Sequence, residues 1–189
     1  MKALMLASAA AVLVCAGAQA QESKGEWHLG AGWSYFDQDV AKVHAVTVRG
    51  GYDFNEYLGL EAEGSLGVTD ETYSGSVTYA GNTATGSIDI KLKHTIAAFA
   101  KVQYPLNEQF SVFARLGYSR GKAEADVDGT VNGTAIKGSI SDTSDGVAYG
   151  AGVEWAFAGQ NSVRFDYTRH DHDNNVELDQ WGVSFVRRF

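Results

Sequence analysis

The chain has 189 residues, a formal net charge of −8, one proline and one cysteine. The length favours a single domain. The acidity argues against nucleic acid as a partner. Aromatic residues make up 12% of the chain and glycine occurs 22 times, which favours a sheet and makes long helices unfavourable.

The first twenty residues have the pattern of a secretory signal peptide. Lys2 provides positive charge, a segment of small apolar residues follows, and Ala18-Gln19-Ala20 fits an A-x-A cleavage site. We predict a signal peptide at 1–20 and one domain at 21–189; a buried N-terminal helix is the alternative for the same residues. Cys15 falls in the segment to be removed, so no thiol remains for disulfides or catalysis. Further along, no apolar run reaches the roughly 18 residues of a membrane-spanning helix.

Eight stretches of roughly ten residues alternate between apolar and polar or small side chains, as strands that face lipid do. In the first, Trp27, Leu29 and Trp33 share one face, whereas His28 and Gly32 lie on the other. The predicted strands are residues 26–37, 43–54, 57–67, 91–104, 109–120, 146–157, 162–170 and 176–189.

In two of these strands the alternation shows which residues are expected on each face. The fourth sets Leu92 and Ile96 against Lys93 and Lys101. The last places Trp181, like Phe189, on a bulky apolar face. Such a strand is unusual at the end of a soluble sheet and expected where the outer face meets lipid.

The connections are short on one side and longer on the other, as in outer-membrane barrels with short periplasmic turns. Within the longer ones, residues 75–79 and 130–140 continue the alternation, so strands are expected to extend as hairpins above the membrane. The short turns are 55–56, 105–108 and 158–161; the long connections are 68–90 and 121–145; 38–42 and 171–175 are short and polar.

These patterns predict an all-β protein, an eight-stranded antiparallel up-and-down transmembrane β-barrel. A soluble, lipocalin-like barrel is the alternative, with apolar residues inside and polar residues outside. We prefer the membrane barrel because aromatic residues cluster near strand ends, as a membrane girdle requires. The girdle residues are Trp27, Tyr35, Tyr104, Tyr118, Trp155 and Trp181.

The chain resembles the small eight-stranded outer-membrane β-barrel family, which includes the OmpA transmembrane domain and opacity-type porin family proteins. The resemblance is carried by Gly51-Tyr-Asp-Phe and Leu58-Gly-Leu-Glu, by residues 113–118 and 150–155, and by Phe189. It implies residence in the outer membrane of a Gram-negative bacterium, among lipid and lipopolysaccharide. It also implies insertion by the outer-membrane assembly machinery, which recognises a terminal aromatic strand, so Phe189 matches an assembly signal. Arg187 departs from the apolar residue usual at that position.

Side-chain parity assigns charges of both signs to the inward face. A lumen of eight strands is wide enough only for side chains or one small ligand, and buried charges should pair. A salt-bridged plug is the principal interpretation; a narrow gated channel or a ligand cavity are the alternatives. The predicted lumen charges are Arg49, Glu61, Glu63, Lys101, Arg115, Glu154, Arg164, Asp166 and Arg188.

The leading hypothesis is a structural or adhesive surface protein whose loops 68–90 and 121–145 contact an unknown extracellular partner. The alternatives are a small ion-conducting pore and a lipid A-modifying enzyme. The enzyme would use Ser119 near the rim with His170 or His172 and with Asp171 or Asp173, but no family motif supports this triad. The segment 169–175 is interpreted as a polar external loop, with divalent-ion binding as its alternative. No enzyme activity, cofactor or metal is therefore predicted.

Overall fold

In the computed structural model, the residues described are 25–38, 41–79, 82–131, 134–173 and 176–189. The predicted signal peptide at 1–20 lies outside them. The described residues form nine strands: β1 (Glu26–Gln38), β2 (Ala41–Asp53), β3 (Leu58–Gly67), β4 (Asp70–Tyr79), β5 (Asn82–Pro105), β6 (Phe110–Val131), β7 (Thr134–Ala158), β8 (Asn161–His172) and β9 (Val176–Arg188).

Eight of these strands close into a ring of antiparallel neighbours. The order is β3-β2-β1-β9-β8-β7-β6-β5, and β5 pairs back with β3. At the seam between first and last strands, Ala31 pairs with Phe185 and Trp33 with Val183. The Phe189 N–H also donates to the Trp27 carbonyl at 2.9 Å. The predicted eight-stranded up-and-down barrel is confirmed.

Above the ring, three of its strands continue and form an open sheet together with β4. Strands β5, β6 and β7 have 24, 22 and 25 residues, about twice the 9–11 that cross a membrane. Their outer parts pair with one another and with β4. We call this the external sheet; it comprises 70–79, 82–91, 124–131 and 134–142. The predicted long connections are therefore largely β-structure, as their alternating pieces indicated.

The ring carries its apolar residues outside and its polar residues inside. Trp27 and Leu29 are 64% and 59% exposed, whereas His28 between them is 1% exposed. A soluble barrel requires the opposite arrangement, so the lipocalin-like alternative is wrong. Within the described ranges, no helix has the length and apolar character to cross a membrane.

One charged residue lies on the opposite face from that predicted. The β5–β6 register shifts between Leu92 and His94. A bulge adds one residue to a strand, so each side chain beyond the bulge points to the opposite face of the sheet from the one that simple alternation predicts. Lys93 therefore lies outside, pairing with Glu124 at 3.3 Å, while Leu92 packs inward against Phe36.

The turns at the short-turn end have local causes. The Asn55 side-chain oxygen accepts the N–H groups of Tyr57 and Leu58 at 2.8 and 2.9 Å. Asn107 forms the same turn one hairpin later. Asparagine side chains commonly form such turns. In the third turn, Gly159 has φ 55°, a left-handed conformation that favours glycine.

Candidate functional site: the charged lumen

The structure places all nine predicted lumen charges on the inward face. Eight are between 0% and 7% exposed, and the Arg188 side chain, at the short-turn end, is 21% exposed. The eight buried residues are Arg49, Glu61, Glu63, Lys101, Arg115, Glu154, Arg164 and Asp166. Strand alternation brings them together because the barrel turns one face of every strand toward a common axis.

Arg115 on β6 is the centre of the ion-pair network. Its Nη1 lies 2.8 Å from Glu61 and 2.6 Å from Glu63, both on β3. Its Nη2 lies 2.9 Å from Asp166 on β8. The guanidinium also stacks over the Phe99 ring, 4.4 Å from the centroid. One side chain thus ties three strands across the lumen.

Two further arginines complete a balanced cluster. Arg49 contacts Glu63 at 3.1 Å and Asp166 at 2.7 Å. Arg164 contacts Glu61 at 2.5 Å and lies 3.9 Å above the Phe113 ring centroid. With Arg115, three guanidinium groups face three carboxylates, so the cluster carries no net charge. Charges in water-poor surroundings are stable only when paired in this way.

The short-turn half of the lumen contains two buried ionisable residues that the predicted set of lumen charges omitted, His28 and Asp53. Lys101 pairs with Asp53 at 2.8 Å. The two His28 ring nitrogens lie 3.3 Å from Asp53 and 3.5 Å from Glu61, without hydrogen-bond alignment. Both residues share the inward parity of their strands, which was the available signal.

Room for the His28 ring is created by Gly51. A Cβ at residue 51 would lie 2.5 Å from the ring and 2.4 Å from the Leu60 carbonyl oxygen. Nearby, Arg188 pairs with Glu154 at 2.5 Å. The inward charges therefore extend from the middle of the barrel to its short-turn mouth.

The external half of the lumen contains uncharged polar groups under an apolar layer. Interpreting 169–175 as an external loop was wrong in part, because β8 continues to His172. His170 and His172 are 0% and 7% exposed, and each has a ring nitrogen 2.8 Å from Ser119 Oγ. Their alternation along a strand is what turns both rings inward.

Beside these histidines lies an apolar collar of Phe36, Ala45, Leu92 and Leu178; Leu178 pairs with His170 in the β8–β9 register. It covers the polar interior where the barrel opens toward the external sheet. Ser119, considered above as a rim nucleophile, is 1% exposed and faces the lumen. Among the described residues, no group of three or more His, Cys, Asp or Glu could hold a metal ion.

The six predicted girdle aromatics lie on the outer surface near the two ends of the ring. Tyr35 is half-buried, and the other five are between 41% and 64% exposed. Trp27 contacts Tyr52 at a centroid distance of 5.0 Å. At the other end Trp181 contacts Tyr167 at 4.7 Å. Tyr104 and Trp155 lie near the short turns, and Tyr35 and Tyr118 near the external end.

Phe189, the predicted assembly signal, is 58% exposed beside this girdle. The Arg187 guanidinium lies 5.6 Å from the Phe189 ring centroid. A cation over an aromatic face is a favourable contact, which explains how this position accepts arginine.

Outside the membrane-spanning part, one lysine forms two ion pairs that link three strands of the external sheet. The Lys91 ammonium lies 3.2 Å from Asp126 and 3.6 Å from Asp70. The Ser139 hydroxyl and Lys91 hold the pKa of Asp126 below its usual range. The hydrogen bond to Asp126 raises the pKa of Lys91.

Known proteins share this architecture. The model of the outer membrane protein beta-barrel domain family matches residues 6–189. Outer membrane protein A of Shigella dysenteriae is 29% identical over 161 residues, which cover 79% of this chain and 42% of that protein. The chain thus spans less than half the length of this relative.

Solved structures show the same fold. Ail, the attachment invasion locus protein of Yersinia pestis, solved with a heparin analogue, superposes with a TM-score of 0.54 at 18% identity, covering 88% of this chain and 100% of that one. A major outer membrane protein of Thermus thermophilus superposes with a TM-score of 0.58 at 9% identity, with the same coverage. This protein resides in the outer membrane of a Gram-negative bacterium, and the chain belongs to the outer membrane protein beta-barrel family.

Proposed function

We propose that the barrel is a closed membrane anchor that presents the external sheet to an extracellular polypeptide in extended conformation. The observation that carries the proposal is the sheet itself. Among the described residues, positions 134–145 of β7 pair only with β6. This outer edge of the sheet therefore offers unpaired backbone N–H and C=O groups, the template for adding a strand.

The two faces of the external sheet differ. Cross-strand pairing puts Tyr73, Ile88 and Val127 in one row, and Ile136 and Ile140 share that face by alternation along β7. Tyr73 is 52% exposed and Ile140 is 69% exposed. An uncovered face of this kind is typical of a protein contact surface.

Beside that row, the apolar face carries a row of three glycines and so has almost no side chains at this place. Gly75, Gly86 and Gly129 pair across three strands. They leave a shallow furrow in which the backbone is open to a contacting side chain. An extended polypeptide fits such a surface because its side chains repeat at the spacing of the sheet.

The opposite face is polar and mainly acidic. Lys91 and Lys137 pair with Asp126 and Asp128 there, at 3.2 and 2.9 Å. Cross-strand pairing adds three more carboxylates to this face, those of Asp70, Asp89 and Glu124. This charge disfavours a polyanionic ligand on that face. The lumen supports the anchoring role, since the balanced cluster around Arg115 fills its middle.

Two variants on one edge strand test the proposal. Ile140→Lys charges the apolar face, and Ser141→Lys is a matched control that puts the same charge on the opposite face. Purified protein in nanodiscs would be applied to an array of random 15-residue peptides. We expect peptides bound by the wild type to lose at least ten-fold in affinity with Ile140→Lys and less than two-fold with Ser141→Lys. Equal binding by the wild type and both variants would contradict the proposal.

A further inference from the structure

Two buried histidines and their partners form a continuous hydrogen-bonded chain in the external half of the lumen. We call it the histidine chain; it links β7, β8, β6, β8 and β9 in turn and ends on the ion-pair network at β3. Its contacts are Ser144 Oγ to His172 Nδ1 at 3.1 Å, His172 Nε2 to Ser119 Oγ at 2.8 Å, Ser119 Oγ to His170 Nδ1 at 2.8 Å, His170 Nε2 to Gln180 Oε1 at 2.8 Å, and Gln180 Nε2 to Glu63 Oε1 at 2.8 Å.

When both histidine rings are neutral, the charge on Glu63 determines the direction of every one of these bonds. Glu63 lies beside Arg49 and Arg115, so it is a carboxylate and can only accept. Gln180 must therefore present its NH₂ group to Glu63 and its oxygen to His170. The His170 ring then donates from Nε2, which leaves Nδ1 as an acceptor for the Ser119 O–H.

The same reasoning continues outward along the chain. Because the Ser119 proton is donated to His170, the Ser119 oxygen accepts from His172. His172 thus also carries its proton on Nε2, and its Nδ1 accepts the Ser144 O–H. Both rings are neutral Nε2–H tautomers, and the hydrogen bonds run in one direction from Ser144 to Glu63.

The surroundings of the two rings allow protons to reach them. A cavity of about 60 Å³ lies at the external mouth, lined by His172, Ser144 and residues of the apolar collar; this volume exceeds the space one water needs. Gly121 lines the same cavity, and a Cβ there would lie 3.5 Å from both His172 Cε1 and Thr95 Oγ1. Among the described residues the Thr95 hydroxyl is buried without a hydrogen-bond partner, so a water molecule beside Gly121 would satisfy it.

The charges near the rings come from several strands. Glu63 on β3, Arg115 on β6 and His172 on β8 act on His170. Asp145 on β7 and Asp171 and Asp173 at the end of β8 act on His172. The carboxylates therefore surround the outer ring, while the inner ring is adjacent to a fixed guanidinium.

We propose that His170 and His172 form a proton-controlled latch that holds the external half of the lumen closed. A proton on His172 Nδ1 requires only that the Ser144 hydroxyl turn and accept. A proton on His170 Nδ1 instead opposes the Ser119 O–H, so this hydroxyl must turn until its oxygen accepts from both rings, and its own proton then loses the His170 acceptor.

Two cations whose ring centroids are 5.8 Å apart would then repel each other beside an apolar collar. The inner cation at His170 has no free carboxylate partner among the groups named here, because Glu63 already pairs with Arg49 and Arg115, and such a charge is unfavourable in these surroundings. Acidification should therefore separate the outer ends of β8 and β9 from β6 and admit water there. The Arg115 network below keeps its own partners and stays closed.

The tautomers can be measured directly in the wild-type protein. We expect ¹⁵N chemical shifts of both rings at pH 8, in lipid nanodiscs, to report Nε2–H. On lowering the pH to 5, amide hydrogen exchange at His170 and Gln180 should accelerate at least ten-fold beyond its intrinsic pH dependence. Protection at Phe165, beside the Arg115 network, should not change.

Histidine variants distinguish opening of the latch from a general loss of stability at low pH. His170→Gln with His172→Gln should abolish the accelerated exchange. His44→Gln is the matched control, because His44 lies outside the lumen and accepts from Trp33 Nε1 at 3.0 Å; it should respond as the wild type does. An Nδ1–H tautomer on either ring, or no pH-dependent change in exchange, would overturn the proposal. The tautomer measurement needs no variant, so a folding defect in the double variant does not prevent the test.

Discussion

Replacing Arg115 with methionine tests whether the lumen network stabilises the barrel. Methionine keeps an unbranched chain of similar reach but removes the guanidinium that contacts Glu61, Glu63 and Asp166 at 2.6 to 2.9 Å. The cluster is then left with three carboxylates facing only Arg49 and Arg164. One negative charge remains buried without a partner.

Breaking a buried ion pair by removing one member costs about 3–5 kcal/mol. We therefore expect Arg115→Met to lower the free energy of unfolding by about 3–5 kcal/mol. Adding Glu63→Gln removes the excess charge and keeps an acceptor for Gln180. Because contacting residues couple by about 0.5–3 kcal/mol, the double variant should recover about 2 kcal/mol relative to Arg115→Met.

The assay is reversible urea unfolding in lipid vesicles, followed by tryptophan fluorescence and by the mobility shift of the folded barrel on unboiled gels. Glu63→Gln alone completes the double-mutant cycle. If Arg115→Met unfolds within about 1 kcal/mol of the wild type, which is the range of exposed ion pairs, the network is not stabilising. A double variant less stable than Arg115→Met would show that charge balance is not the cause.

Four further predictions concern other parts of the molecule. Gly51→Ala should displace the His28 ring and destabilise the barrel by about 1–3 kcal/mol in the same assay, whereas Gly138→Ala, where a Cβ meets nothing within 4 Å, should be neutral. Phe189→Ala should reduce membrane insertion in cells more than it reduces the stability of inserted protein, measured by fractionation and unfolding; normal insertion would contradict its role as an assembly signal. In planar bilayers the wild type should show no steady conductance, whereas Glu61→Gln and Arg115→Ala should open the lumen and produce conductance. A conducting wild type would contradict a plugged lumen. The Lys91–Asp126 pair should stabilise the external sheet fully between the ordinary pKa values of 3.8 and 10.5, and limited proteolysis should detect loosening as pH falls through the lowered pKa of Asp126 or rises through the raised pKa of Lys91. Lys91→Met should show no loosening at high pH and, because the Ser139 hydrogen bond to Asp126 remains, only a weakened loosening at low pH.

The barrel itself was predictable because strand alternation is a local property that can be read along the chain. Trp27 and His28 are neighbours with opposite faces, and each inward charge could be assigned by its parity. Parity alone does not show which face is inside, and the aromatic residues near strand ends resolved that question. Lys93 was assigned wrongly because a bulge is set by pairing between two strands and leaves no clear local mark.

What the sequence by itself determined is the membrane barrel, its closing strands and the set of charges in its lumen, since these follow from a period of two and from composition. Only the tertiary structure decided which lumen side chains contact one another. Arg115 lies 54 residues from Glu61, yet the two meet at 2.8 Å. Likewise His170 meets Ser119, 51 residues away, because ring closure brings distant strands to one axis. Contacts across a lumen depend on register and on the stagger of all eight strands, which no local pattern encodes.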